Sequence, residues 1–251
     1  MKKIFTTFLF FTLMGCSFTA DKKKSQSPNI IYILADDLGY GDLSIYNLAS
    51  KIKTPHLDQM AREGMRFMDM HSTSSVCTPT RYSILTGEYA WRTNLKTGVL
   101  WSYGPLMIPD EKETVAKLLR RNGYQTAVVG KWHLGLDWQL KTPFKQEQIK
   151  RNQWGLITDY KEEIIDFSKN PTKGPAHVGF DYSYILPASL DIPPYVYLED
   201  GVFTKSIRSS TNGSNLKGDK DYDFWRPGPM AEDFDFYKVL PTFIEKAKLF
   251  I

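Results

Sequence analysis

The chain has 251 residues, which is enough for one large domain with a sizeable core, and 42% of its residues are hydrophobic. Its formal net charge of +4 is small for this length, so the composition does not indicate a nucleic-acid-binding protein. Aromatic residues reach 14%, a content that suits either core packing or the recognition of sugar and aryl groups.

The N-terminus has the pattern of an export signal. After a basic start, residues 4–14 form an apolar run that is too short to span a membrane. The next residues, Leu-Met-Gly-Cys, resemble a bacterial lipobox and predict lipidation of Cys16, with cleavage near Ala20 as the alternative. We therefore expect a signal peptide at 1–15 and a polar tether at 16–27. Lipidation would anchor the protein to the membrane of the bacterial cell envelope, facing the periplasm or the cell surface.

A buried strand is predicted over residues 29–35, where the sequence is apolar without alternation. Asp36 and Asp37 follow it directly, at the carboxyl end where open α/β sheets bind ligands. Adjacent carboxylates repel each other unless a hard cation bridges them, and oxygen ligands suit Ca²⁺ or Mg²⁺ rather than zinc. The alternative is an Asp pair that only shapes a turn before glycine.

The next segment leads to a cysteine at a predicted helix start. Thr54 and Pro55 open one helix as its N-cap and first residue, and residues 65–71 alternate as a second strand that leads to Cys77. Pro79 suits the first turn of a helix, which places Arg81 one turn beyond Cys77 on the same face. Helix N-termini attract oxyanions, so Cys77 is a candidate nucleophile beside an anion site. A small, inert core cysteine is the alternative.

A second helix–strand pair follows. A capping-box pattern at 110–113 predicts a helix that ends at Asn122-Gly123, and residues 126–129 form the next buried strand. This βαβα order predicts an α/β fold, with a mostly parallel central sheet and helices on both faces. Lys131 and His133 follow the strand, and a period of two places them on one face, where they can neutralise an anion and move a proton. A solvated lysine and a packed histidine are the alternative.

The remaining sequence is less regular. Residues 136–175 predict an insertion or lid, residues 206–220 a polar loop, and residues 240–251 the start of a helix. In a proline-rich segment, Ser189 and Asp191 are candidate substrate contacts, although turn formation explains these residue types equally well.

Three of these segments resemble the type I sulfatases of the alkaline phosphatase superfamily. Cys-Thr-Pro-Thr-Arg at 77–81, with its trailing Leu-Thr-Gly, resembles the family's signature. Gly-Lys-Trp-His-Leu-Gly at 130–135 is similar to the second signature, and residues 35–42 resemble the opening metal motif. The segment that holds Ser189 and Asp191 resembles the family's substrate-facing region.

The resemblance implies a sulfuric ester hydrolase that acts on a sulfated carbohydrate or an aryl sulfate. A maturation enzyme would oxidise Cys77 to formylglycine, and the hydrated aldehyde would attack the sulfur. Asp36, Asp37 and formylglycine-77 would ligate Ca²⁺, with Mg²⁺ possible. Cys16 and Cys77 then have separate covalent fates, so no disulfide is expected.

Each remaining signature residue also receives an implied role. Arg81 and Lys131, together with the metal, would hold the charge that develops on the sulfuryl oxygens. His133 would help to deprotonate the remaining hydroxyl, which expels sulfate and restores the aldehyde.

The resemblance covers residues 28–197 approximately, and family members are considerably longer. Their remaining metal ligands, a further histidine and a further lysine have no match in this sequence. We therefore expect residues 28–251 to be the N-terminal part of a truncated catalytic domain. The alternatives are a phosphate or phosphonate monoester hydrolase of the same superfamily, and a non-catalytic envelope lipoprotein that at most binds sulfated glycan.

Overall fold

A computed structural model describes residues 27–214 and 224–251. The predicted signal peptide, the lipidation of Cys16 and nearly all of the tether lie outside these described residues. Within them, no helix is both long and apolar enough to cross a membrane. The chain divides into two compact units, Met1–Ala61 and Arg62–Ile251.

The described elements are short. The helices are α1 (Pro55–Glu63), α2 (Cys77–Thr86), α3 (Val115–Arg121) and α4 (Val239–Phe250). The strands are β1 (Ala127–Lys131), β2 (Ile149–Arg151), β3 (Ile157–Tyr160), β4 (Tyr182–Leu186), β5 (Leu198–Glu199), β6 (Val202–Phe203), β7 (Ile207–Thr211) and β8 (Gly228–Ala231).

In the first unit, the prediction of a strand over residues 29–35 is wrong. These residues have no regular secondary structure, and their apolar side chains are exposed, with Ile33 at 78%. A strand needs a neighbour for its N–H and C=O groups, and no described segment pairs with this one. Helix α1 does begin at Pro55, as predicted, and Asp58 in its first turn accepts hydrogen bonds from the hydroxyls of Ser44 and Thr54.

The second unit is built on a mixed sheet with the strand order β1-β4-β5-β6. Strands β1 and β4 are parallel, with Ala127 opposite Tyr182 and Lys131 opposite Leu186, whereas the β4–β5 and β5–β6 pairs are antiparallel. The α/β fold class is confirmed, but the described sheet is mixed rather than mostly parallel, because only the β1–β4 pair is parallel. Because β1 and β4 end side by side, the loops that follow them leave from the same edge of the sheet.

Three further predictions about the second unit need correction. Residues 65–71 form no strand, since their side chains are exposed and no described strand pairs with them. Helix α3 begins at Val115 rather than near Asp110, because Thr114 is its N-cap and its hydroxyl accepts the Lys117 N–H at 3.1 Å. The predicted loop at 206–220 contains β7, which pairs antiparallel with β8.

A core rich in aromatic side chains underlies the sheet. Tyr103, Trp138 and Phe167 pack edge to face with ring centroids 5.5–6.3 Å apart. Helix α4 is tied to β5 by Lys246, whose ammonium lies 2.7 Å from the Glu199 carboxylate. The Lys246–Glu199 pair thus attaches α4 to the sheet.

Candidate active site

Helix α2 presents Cys77 at its first position, as predicted. Val76 precedes it in an extended conformation and caps the helix without a side-chain bond, and Cys77 carries a free, half-buried thiol. Pro79 occupies the first turn, and Gly87 ends the helix with a left-handed φ of 70°. The N–H groups of the first turn of a helix lack intrahelical partners and favour negative charge. The cysteine therefore lies at an end of α2 that is suited to an anion.

Thr78 joins three segments of the site. Its buried hydroxyl donates to the carbonyl of His133 at 2.9 Å and accepts the N–H of Leu100 at 3.2 Å. The carbonyl of Leu100 in turn accepts a hydrogen bond from Nε2 of His133 at 2.8 Å. These three bonds fix the loop after β1 against the start of α2.

A second bond ties α2 to β1. Nη1 of Arg81 donates to the backbone carbonyl of Lys131 at 2.6 Å. The structure thus places Arg81 and Lys131 together, with their charges close enough to act on His133. Two cations at the N-terminal end of a helix form a strongly anion-attracting surface.

His133 differs from the sequence-based expectation in its backbone. Strand β1 ends at Lys131 and His133 has a left-handed φ of 54°, so the alternation that predicted a shared face does not continue this far. Its N–H instead donates to the carbonyl of Pro187 at 3.0 Å, which ties it to the chain that follows β4. The turn buries the imidazole almost completely.

Burial sets the protonation state of His133. Desolvation, aided by the charges of Lys131 and Arg81, lowers its pKa to about 4, although the hydrogen bond to Leu100 acts in the opposite direction. The imidazole is therefore neutral at pH 7. Because Nε2 carries the proton given to Leu100, Nδ1 carries a lone pair, and no described residue bonds to it.

Ser189 and Asp191 follow β4 at the same edge of the sheet. The Ser189 hydroxyl donates to Oδ1 of Asp191 at 2.5 Å, and Nη1 of Arg226 bonds both the carboxylate and the carbonyl of Asp191, the latter at 3.0 Å. Burial raises the pKa of Asp191, but the bonds from Ser189 and Arg226 outweigh it and leave the pKa below its ordinary value. The charge of Lys131 also lowers this pKa, so Asp191 belongs to the same cluster.

Sequence reasoning missed Thr78 and Arg226. Thr78 occupies a variable position of the cysteine motif, and Arg226 lies 35 residues from the carboxylate that it holds, in a segment without a recognisable pattern. The sequence held one weak signal for Arg226, since Asp191 is a carboxylate, and a carboxylate that becomes partly buried generally has a cationic or hydrogen-bonding partner.

Asp36 and Asp37 lie in the first unit. Both are exposed, and Asp37 has a left-handed φ of 57° in the bend that precedes a 3₁₀ helix at Tyr40–Asp42. Two adjacent carboxylates match the oxygen chemistry of a hard cation and supply part of its six or more ligands. Within 27–214 and 224–251, no group of three or more His, Cys, Asp or Glu side chains is arranged to hold a metal.

Comparison with known proteins gives consistent matches. The family model described as Sulfatase matches residues 28–247. An N-acetylgalactosamine-6-O-sulfatase of Bacteroides thetaiotaomicron is 40% identical over 192 residues, which cover 75% of this chain and 33% of that protein. Arylsulfatase G of Mus musculus is 44% identical over 129 residues, which cover 50% of this chain and 23% of that protein.

The fold has a solved counterpart. A structure concerned with the metabolism of multiple glycosaminoglycans by Bacteroides thetaiotaomicron matches 90% of this chain and 48% of its own, with a TM-score of 0.69 and 31% identity. The chain thus shares the fold of that protein and spans less than half the length of each relative described here.

Proposed function

The chain belongs to the sulfatase family, and from that premise we propose that its protein hydrolyses sulfate esters of a sulfated carbohydrate or an aryl compound. One observation supports the proposal: Arg81 bonds the Lys131 carbonyl, and Thr78, the neighbour of Cys77, bonds the His133 carbonyl, so the end of β1 lies against the start of α2. A similar N-acetylgalactosamine-6-O-sulfatase supports a sulfated amino sugar as the substrate class.

The nucleophile in this proposal is a formylglycine produced from Cys77 by a maturation enzyme, and its hydrated aldehyde supplies a hydroxyl for attack on sulfur. The position of Cys77 supports the assignment, because the thiol is half-buried rather than locked in the core. The start of α2 offers N–H groups and positive potential to an incoming sulfate ester.

The cations of the site bind and orient the anionic ester. Arg81 is held by the Lys131 carbonyl, so its guanidinium is preorganised for the charge that increases on the sulfuryl oxygens. Lys131 adds a second positive charge beside it. Preorganised charges cost no reorganisation during the reaction, which makes such an arrangement effective in catalysis.

His133 is the proton acceptor. Its Nδ1 lone pair is available at neutral pH because burial keeps the ring unprotonated. A bound sulfate ester offsets the positive charges of Arg81 and Lys131, which raises the pKa of His133 and makes proton uptake easier. The Leu100 carbonyl holds the ring in the orientation that leaves Nδ1 as the acceptor.

Asp36 and Asp37 would hold the divalent cation of this proposal, Ca²⁺ or Mg²⁺, by the chemistry of their oxygens. Such an ion would supply positive charge to the oxygens of an anionic ligand. We further propose that the protein is a lipoprotein of the bacterial cell envelope, anchored through Cys16, on the strength of the lipobox-like sequence.

The test is ester hydrolysis by the chain, expressed together with a formylglycine-generating enzyme and supplied with Ca²⁺. Release of sulfate from an aryl sulfate should exceed release of phosphate from the matching aryl phosphate, and Cys77→Ala should abolish it. Faster phosphate release, no release by matured chain, or release that survives Cys77→Ala would overturn the proposal.

A further inference from the structure

An exposed tryptophan lies next to the residue that holds His133. Leu100 binds Thr78 and His133 through its backbone, and the following residue, Trp101, is 50% exposed. The Trp101 carbonyl accepts the N–H of Gly104 at 3.2 Å, which closes a tight turn. The Tyr103 N–H is then fixed by Asp159 at 3.0 Å. Trp101 is therefore a large apolar surface on a rigid support beside the site.

Arg226 connects this tryptophan to the other side of the cluster. Its Cζ lies 5.5 Å from the ring centroid of Trp101 and 5.0 Å from that of Phe224, which is 43% exposed. The same guanidinium is anchored on Asp191, the hydrogen-bond partner of Ser189. Its side-chain bonds to described residues all run through Nη1, which leaves the N–H groups of Nε and Nη2 for a ligand.

We propose that Trp101, Phe224 and Arg226 form a binding subsite for a sugar ring that bears a carboxylate or sulfate group, adjacent to the ring whose sulfate reacts. This inference rests on the proposed function and names the recognised substrate as an acidic oligosaccharide rather than an isolated aryl sulfate. Pyranose C–H faces pack on exposed indole and phenyl rings, and a planar guanidinium binds carboxylate or sulfate with paired N–H groups. A neutral sugar would leave those donors without an acceptor.

The chain offers a matched control. Trp91 is 54% exposed and also lies against a guanidinium, with Cζ of Arg92 5.4 Å from its ring centroid. It follows Gly87, at the opposite end of α2 from Cys77. Trp91→Ala therefore removes an equally exposed tryptophan with the same type of cation contact, but not one beside His133.

The experiment measures oligosaccharide binding by calorimetry, with Cys77→Ala as the background so that no substrate is consumed. The ligands are a sulfated glycosaminoglycan tetrasaccharide, its desulfated form that keeps the uronates, a sulfated neutral galactan oligosaccharide and an uncharged cello-oligosaccharide. We expect Trp101→Ala to weaken binding of the acidic ligands about tenfold, Trp101→Phe to weaken it less, and Trp91→Ala to leave it unchanged. The uronate-only and sulfate-only ligands show which anion Arg226 recognises.

Arg226→Gln should remove the preference for acidic over uncharged oligosaccharides. The subsite would be overturned if Trp101→Ala binds the acidic ligands as tightly as the Cys77→Ala background does, or if Trp101→Ala and Trp91→Ala lose equal affinity. It would also be overturned if Arg226→Gln still prefers acidic to uncharged oligosaccharides. Circular dichroism on each variant identifies loss of fold, and if Trp101→Ala unfolds, Trp101→Phe alone decides: binding as tight as that of the parent overturns the aromatic contact. Aryl sulfate turnover by the unsubstituted, matured chain tests the proposed function separately.

Discussion

Replacement of Thr78 by valine should destabilise the second unit severely, although the two side chains have nearly the same shape. The substitution removes the buried hydroxyl that serves both the His133 carbonyl and the Leu100 N–H. Each buried backbone group left without a partner costs about 1–3 kcal/mol, so the free energy of unfolding should fall by roughly 2–6 kcal/mol. With a denaturant dependence of about 2 kcal/mol per molar urea, the midpoint should fall by about 1–3 M.

Two controls isolate the hydroxyl of Thr78. Thr78→Ser keeps it and should lose only about 1 kcal/mol, for the missing methyl group. Thr80→Val removes one partly buried bond, to the Ser74 carbonyl, and should cost about 1 kcal/mol. Urea unfolding followed by tryptophan fluorescence supplies the free energies. A Thr78→Val chain within 0.5 kcal/mol of its parent, or no less stable than Thr80→Val, would refute the role of this threonine as the junction of the site.

Three further predictions concern protonation, backbone and metal. The pKa of His133 is about 4 in the folded chain and 6.5 in the unfolded chain, so the unfolded chain binds more protons between these two pH values. The free energy of unfolding should therefore decrease as the pH is lowered from 6.5 to 4. His133→Gln should flatten that fall by up to about 3 kcal/mol, and an unchanged pH slope in chemical denaturation would contradict it. Gly135→Ala should lower the free energy of unfolding by more than about 3 kcal/mol, since φ is +77° and the new Cβ would lie 2.0 Å from the Pro105 oxygen. Gly123→Ala, where the new Cβ meets open space, should lower it by only about 1 kcal/mol. Equal losses in the two variants would refute the clash at Gly135. Calorimetric titration should show Ca²⁺ bound weakly, at about millimolar affinity, and more weakly still in Asp36→Asn and Asp37→Asn, while tight binding that ignores both variants would rule these ligands out.

The features that the sequence predicted well depend on local signals. Pro79 and Gly87 determine where α2 begins and ends, and both act within a few residues of themselves. The same is true of β1, a short apolar run after Gly123. The signature motifs lie on these elements, so the family and the α/β class could be recognised, and the comparisons confirm both.

The errors come from features that need a distant partner. Residues 29–35 and 65–71 have the composition of strands, but an apolar pattern forms a strand only where another strand pairs with it, and none does so among the described residues. The backbone turn at His133 depends on its hydrogen bonds to Pro187 and Thr78, and no local sequence pattern predicts these bonds. Arg226 is the clearest case, because only folding brings it to Asp191.

The central claim is that Cys77 becomes the nucleophile of a sulfatase. Mass spectrometry of the tryptic peptide over residues 67–81, from chain made together with a formylglycine-generating enzyme, tests it most directly. We predict that Cys77 carries the mass of formylglycine or its hydrate. Arg81→Ala, whose tryptic peptide extends over residues 67–92, disrupts the motif and should prevent the conversion. An unmodified cysteine at position 77, in cells where a known sulfatase is converted, would contradict the account.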